Sequence, residues 1–191
     1  MTAPAWNSMG VLPPVQPDAH GASPDRSPYA MDMISLADRF GTSQQRITIL
    51  RGLLRFRDEL YQAGLVSGFQ WLDGSFLENV ELLEDRPPHD IDVVTFYCLP
   101  SGQSQQSIAE RHGKVFDHNR LKTDYTVDAY FAELGRPTDR WQIKNVSYWY
   151  SVWSHRRDGL WKGFVQVDLS PKQDADASTL LNNFSGGVEH E

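Results

Sequence analysis

The chain carries two kinds of apolar spacing. Between Thr42 and Gly64, the residues Ile47, Leu50, Leu53, Leu54, Leu60 and Tyr61 return at intervals that keep one face of a helix apolar. Thr42 followed by Gln45 reads as a capping box at its start, and Gly64 ends it. A shorter helix is predicted from Met31 to Phe40, stopped at Gly41, and a weaker one in the stretch SQQSIAERHGKVF. Trp141, Val146, Trp149, Tyr150 and Trp153 mark a further helical face. Between these lie short runs rich in β-branched and aromatic residues: Phe69 to Leu72, Ile91 to Leu99, Thr126 to Phe131, and FVQVDL. Strands alternating with helices predict an α/β domain, a mixed sheet of about four to five strands packed with helices. No internal repeat is visible.

The two ends differ from this middle. Residues 1–28 hold Pro4, Pro13, Pro14, Pro17, Pro24 and Pro28 without apolar periodicity, which predicts an irregular arm laid across the domain by Trp6, Val11 and Leu12. The domain proper is expected over residues 29–170. Residues 171–191 are acidic and rich in Gly and Ser, and are expected to form a mobile tail with one apolar anchor at Leu180, Leu181 and Phe184.

Composition narrows the function. No apolar run is long enough to span a bilayer and the first residues lack a basic and apolar leader, so a cytoplasmic chain without membrane contact is expected. The single cysteine, Cys98, excludes an internal disulfide and a cysteine metal cluster, and its apolar surroundings mark it as a buried structural thiol. A net charge of −7 repels phosphate backbones and argues against long duplex nucleic acid as a partner. Small anions remain open, because a divalent metal and a few nearby cations override the global field at short range.

The chemistry concentrates in WLDGSFLENVELLEDRPPHDIDVVTFY. Asp90 and Asp92 fall two apart on an apolar strand, so both project to one face while Ile91 and Val93 project to the other. Such a pair repels unless a cation lies between them, and two carboxylates plus substrate phosphates suit Mg²⁺ (or Mn²⁺). Upstream, Gly74 and Ser75 form a turn whose N–H groups and hydroxyl can meet phosphate oxygens. In TDYTVDAYF, Asp128 sits mid-strand; Asp124 and Asp168 compete for the same role. Arg156, Arg157 and Lys162, in the basic loop SHRRDGLWKG, are the nearest cations for a nucleotide's phosphates. His89 reads as a loop residue after Pro87 and Pro88, and Trp141, Trp149 and Trp153 read as core or interface.

This arrangement resembles the nucleotidyltransferase superfamily related to DNA polymerase β, in which an apolar residue with Gly and Gly or Ser is followed, after a spacer, by Asp-apolar-Asp-apolar. Here the match is Leu72, Gly74 and Ser75, then Asp90-Ile91-Asp92-Val93, with Asp128 as the third carboxylate that the family carries on a neighbouring strand. The spacer before Asp90 is slightly long, and GSFLEN lacks the Arg or Gly that many members carry after the serine. The resemblance implies a minimal nucleotidyltransferase fold and transfer of a nucleoside monophosphate from an NTP or dNTP to a hydroxyl. Asp90, Asp92 and Asp128 would be catalytic and hold the metal. A wider likeness to small bacterial proteins, carried by GVLPP, WLDGSF and DIDVV, implies a setting in antiviral defence and names no substrate; the acidic surface favours a nucleotide acceptor, giving a short oligonucleotide, or a protein acceptor over long nucleic acid. The alternatives are a nucleotide-binding, antitoxin-like partner acting by protein contact, and an unrelated metal phosphohydrolase. Ser178, Thr179 and Ser185 in the expected tail are candidate acceptors for self-modification.

Overall fold

The computed structural model describes residues 3–186. Five strands, β1 (Tyr29–Met31), β2 (Gly68–Asp73), β3 (Ile91–Tyr97), β4 (Val127–Glu133) and β5 (Val165–Asp168), form one mixed sheet in the order β1-β5-β2-β3-β4. β2 runs antiparallel to both β5 and β3, whereas β1 with β5 and β3 with β4 are parallel. The α/β fold expected from the alternation of patterns is therefore present, with the strand at Tyr29–Met31 added to those read from the sequence.

Cross-strand partners share a face of the sheet. On the front face, Phe69, Trp71 and Asp73 of β2 stand opposite Phe96, Val94 and Asp92 of β3. Helix α6 (Arg140–Trp153) covers this face: Tyr150 meets Trp71 and Phe164, Trp149 meets Tyr130, and Trp153 packs edge-on against Phe164. The back face presents Leu72, Val93, Val127, Val165 and Val167, all buried, to α1 (Met33–Phe40), α2 (Gln44–Gln62), α5 (His118–Tyr125) and α7 (Pro171–Gly186). The small helices α3 (Val80–Glu84) and α4 (Gln105–His112) complete the chain order.

Several boundaries move. α1 begins at Met33, because Met31 belongs to β1 and Asp32 accepts the N–H of Ser35 at 2.6 Å as N-cap. The cap of α2 is Ser43, which accepts from Arg46, rather than Thr42. β3 ends at Tyr97, so Cys98 is half-buried instead of enclosed. The arm does lie on the domain: Val11 and Leu12 are buried, and Trp6 packs against Phe40.

The largest correction concerns residues 171–186, which form α7 in place of a mobile tail. The expected anchor is real, since Leu181 is buried with Leu180 and Phe184 packed beside it, but an ion pair fixes the helix as well. Arg57 of α2 is fully buried and donates to Asp174 at 2.7 and 2.9 Å, to Gln70 Oε1 at 2.7 Å and to the Asp168 carbonyl at 2.7 Å. Gln70 passes the chain on to Thr95, and the Tyr61 hydroxyl donates to Asp174. An acidic, polar segment thus folds because its aspartate neutralises a cation that no other carboxylate reaches among the described residues. The side chain of Ser185 and residues 187–191 lie outside what the structure describes.

Asp174→Ala should cost about 3–5 kcal/mol in urea denaturation, the scale for stranding one member of a buried pair, whereas Arg57→Met with Asp174→Leu should recover most of it. An Asp174→Ala variant as stable as the parent would mean that α7 is held by its apolar face alone.

Candidate active site

The register brings three carboxylates into one row: Asp73 of β2 stands opposite Asp92 of β3, and Asp92 opposite Asp128 of β4. Asp90 immediately precedes β3. Asp124 and Asp168 lie elsewhere. Asp168 is exposed opposite Phe69 at the other end of β2, and Asp124 on α5 pairs with Arg120 at 3.4 Å. The sequence pattern places Asp73 in the spacer between Leu72 and Gly74, yet it is the most deeply buried member of the row, at 4% exposure.

Gly74 turns the chain directly over this row. Its φ of 83° favours glycine, and a Cβ built there would overlap the Asp92 carboxylate. The chain then makes a single 3-10 turn, Ser75–Leu77, and the N–H groups of Leu77 and Glu78 are used within it. Arg46, buried on α2, holds the turn from behind, donating to the carbonyls of Phe76 at 2.6 Å and Glu78 at 2.7 Å and pairing with Glu81 at 2.6 Å. From the arm, Trp6 Nε1 donates to the Leu77 carbonyl at 2.6 Å and Gly10 accepts the N–H of Asn79 at 2.8 Å.

Two lysines answer the carboxylates. Lys162 Nζ lies 3.0 Å from Asp73 Oδ1 and 2.8 Å from Glu78 Oε1, with 5% of its side chain exposed. It was expected on an open basic loop; instead it lies beneath the row because Asp73 and Glu78 draw it inward. Arg156 is shared loosely among Glu78, Glu84 and Asp158, at 3.5 to 3.8 Å, while Arg157 is exposed. Lys122 of α5 lies 2.7 Å from Asp128 Oδ2 and 3.0 Å from Asp90 Oδ2. The sequence pattern does not reveal it, because HNRLKTDY has one buried apolar position, Leu121, and so almost no helical signature.

Burial, followed by repulsion from Asp90 and Asp128, pushes the Asp92 carboxyl up to about 6. Burial pushes Asp73 up to about 7 against the pull of Lys162. The hydrogen bonds that Lys122 donates to Asp128 and then to Asp90 hold it above the ordinary lysine range. The cluster is therefore short of positive charge.

These groups line one cleft of about 660 Å³, within the roughly 300–1,000 Å³ common for small-molecule sites. Gly74, Ser75, Asp90, Asp92, Asp128, Arg156, Arg157 and Lys162 all reach it, and exposed His89 stands in its wall. Tyr148, Trp149, Val152 and Trp153 of α6 form one side of it, with Tyr130 meeting Trp149 at 4.7 Å between ring centres; of the tryptophans read as core or interface, Trp153 is buried, Trp149 packs against the core and Trp141 is exposed. Ser178 and Thr179 are carried away from the cleft on α7, which packs on α1 and α2, and Thr179 Oγ1 is bonded to the Ala175 carbonyl.

The donors fit a hard divalent cation in kind: all are carboxylate oxygens, and Asp128 Oδ1 is buried without a hydrogen bond, His118 Nδ1 standing off at 3.5 Å. Among the described residues no group of three or more His, Cys, Asp or Glu is gathered closely enough to hold a metal. In this arrangement the Lys122 ammonium stands where a cation would neutralise Asp90 and Asp128.

A family model matches residues 4–168, from the arm to the last residue of β5. The chain belongs to the family of unknown function DUF6932. No curated protein and no solved structure matches it. The DUF6932 match takes in the whole sheet, the Gly74 turn and every carboxylate of the row, and leaves out α7.

The folded Asp92 carboxyl holds its proton up to about pH 6, whereas unfolded it ionises near 3.8. Between those values the folded form binds more protons, so this group's contribution to stability falls as pH rises and its loss is complete above about pH 6. Asp92→Asn removes that loss. Thermal melts without divalent metal should show the variant more stable than the parent at pH 7.5, by about 1–3 kcal/mol, given that a tenfold change in proton affinity is worth about 1.4 kcal/mol, with little difference at pH 4. Equal gains at both pH values would contradict the raised proton affinity.

Proposed function

We propose that this chain is a metal-dependent nucleotidyltransferase, moving a nucleoside monophosphate from an NTP or dNTP to a hydroxyl acceptor with release of pyrophosphate. The observation that carries the reading is the seat of Gly74: a glycine-only turn is built against the Asp92 carboxylate at the floor of a cleft, so phosphate-binding backbone and metal-binding carboxylates would face one ligand. This agrees with the likeness to the DNA polymerase β superfamily. It also gives the isolated Asp-x-Asp a partner that a general phosphohydrolase would not need.

In this reading Asp90, Asp92 and Asp128 would hold Mg²⁺ or Mn²⁺, which when bound neutralises triphosphate charge and makes the acceptor hydroxyl more acidic. The turn at Gly74 and Ser75 takes phosphate oxygens, Arg157 and Arg156 reach the outer phosphates from the cleft rim, and Tyr148 and Trp149 offer rings to a base. The acceptor oxygen bonds to the α-phosphorus as the bond to the bridging oxygen of pyrophosphate breaks, and the hydroxyl proton is lost to the carboxylate cluster. Lys162 keeps Asp73 neutralised beneath the site. The acidic surface favours a small or protein acceptor, and a short oligonucleotide made as a cytoplasmic antiviral signal fits a cleft in which carboxylates outnumber cations.

A second reading, a partner that acts by protein contact, is favoured by α6, where Trp141, Ile143, Tyr148 and Val152 are all exposed.

Incubation with each labelled NTP and dNTP plus Mg²⁺ or Mn²⁺ should release pyrophosphate, and Asp92→Asn should lower the rate by at least about 10²–10³-fold, the scale of losing one preorganised electrostatic group. Release of inorganic phosphate would point to a hydrolase. No turnover by the parent with any nucleotide, alongside capture of a protein partner lost on Trp141→Ser with Tyr148→Ser, would favour the contact reading.

A further inference from the structure

Lys122 differs from Lys162, the lysine buried in this site. Lys162 is 5% exposed and enclosed, whereas Lys122 is half-exposed, at 50%, on the last turn of α5. Its ammonium touches Asp128 Oδ2 and Asp90 Oδ2, from two different segments, and so draws together groups that would otherwise repel. A divalent ion bound by those two aspartates competes for the same negative charge, and two cations cannot share such oxygens at contact distance without strong repulsion. The ammonium has a way out, because its flexible stem emerges at the surface of the cleft. It also has somewhere to go, since a nucleotide's phosphates in the same cleft offer it replacement oxygens.

We infer that Lys122 is a resident counter-ion that excludes free divalent metal from the aspartate cluster until a nucleotide's phosphates arrive to receive it. This rests on the nucleotidyltransferase reading and adds an order of loading: metal alone binds weakly, and metal with nucleotide binds well. The chain would then avoid holding a metal ion, with its activated water, in an empty site. The distinction lies in how the charge is held. A purely structural ion pair would leave metal affinity indifferent to the lysine, or lower it when the pair is broken; a counter-ion in the metal's place makes the two occupancies mutually exclusive.

Titration with Mn²⁺ alone, followed by the electron paramagnetic resonance signal of the free ion, tests this on the full chain, with circular dichroism and melting temperature confirming that each variant is folded. Lys122→Met should tighten Mn²⁺ binding by about tenfold or more, within the ~5–150-fold span of coupled binding events, and Lys122→Arg should stay near the parent. Asp92→Asn placed in the Lys122→Met background should abolish the gained affinity. In equilibrium dialysis of a non-hydrolysable α,β-methylene triphosphate, the parent should need nucleotide to retain Mn²⁺ and Lys122→Met should not. Equal Mn²⁺ affinity in the parent and Lys122→Met would overturn the counter-ion role while leaving the metal reading intact. Absence of Mn²⁺ binding in every variant, with nucleotide or without, would overturn the metal reading and this inference together.

Discussion

Carboxylates directly opposite one another on neighbouring strands repel, and here Asp73, Asp92 and Asp128 form an uninterrupted row across β2, β3 and β4. Everything around the cleft can be read as a response to that repulsion. Lys162 comes in from beneath and Lys122 from the side, and Gly74 gives up its side chain so that the Asp92 carboxylate has room. The strands stay paired because the rest of the same face is an aromatic layer. Phe69 and Phe96 stack with ring centres 4.9 Å apart, and Trp71 meets Phe96 at 4.6 Å. One end of the front face is thus electrostatically costly and the other strongly cohesive, a division expected where a scaffold carries a site instead of merely filling a core.

Helix α2 ties this face to the opposite one. Arg46 and Arg57 are eleven residues apart, close to three helical turns, so both point inward along one stripe, and both are essentially fully buried. Arg46 fixes the carbonyls behind the Gly74 turn, while Arg57 fixes α7 and the polar pair Gln70 and Thr95 within the sheet. The two guanidiniums, whose planar forks satisfy several acceptors at once, fix segments that carry little apolar surface: Arg46 the turn at Phe76 and Glu78, Arg57 the polar helix α7.

Most of the fold was legible because β3 and α2 carry dense, regular apolar patterns that tertiary context had no reason to override. Asp90 and Asp92 were legible as a pair because positions two apart on a strand share a side, whereas Gly74 and Asp128 join them only through the resemblance to the polymerase β superfamily. Lys122 was hidden because α5 is a polar helix held by Leu121 and by its packing on α2 and β4, and has almost no apolar period. α7 was hidden for a related reason: its composition is that of a solvated tail, and its order comes from an ion pair 117 residues away in sequence. Asp73 was missed because a residue next to a turn glycine reads as turn. Burial of Lys162 depends on Asp73 and Glu78, so missing the first meant misplacing the second.

The N-terminal arm reaches the site from far away along the chain. Trp6 meets Leu77 across 71 residues, and Leu12 accepts the N–H of Gly163 at 2.7 Å. These contacts close loops as long as those closed by the sheet itself, in which Tyr29 pairs with Val165. The Leu77 carbonyl and the Asn79 N–H, at the end of the Gly74 turn, take their partners from the arm. Residues 3–12 are held by hydrogen bonds with Arg39, Leu77, Asn79 and Gly163 and by Ala3, Trp6, Val11 and Leu12 packed on the domain. Opening of residues 3–12 therefore strips partners from both Leu77 and Asn79, so the arm and the turn over the carboxylates share one local stability.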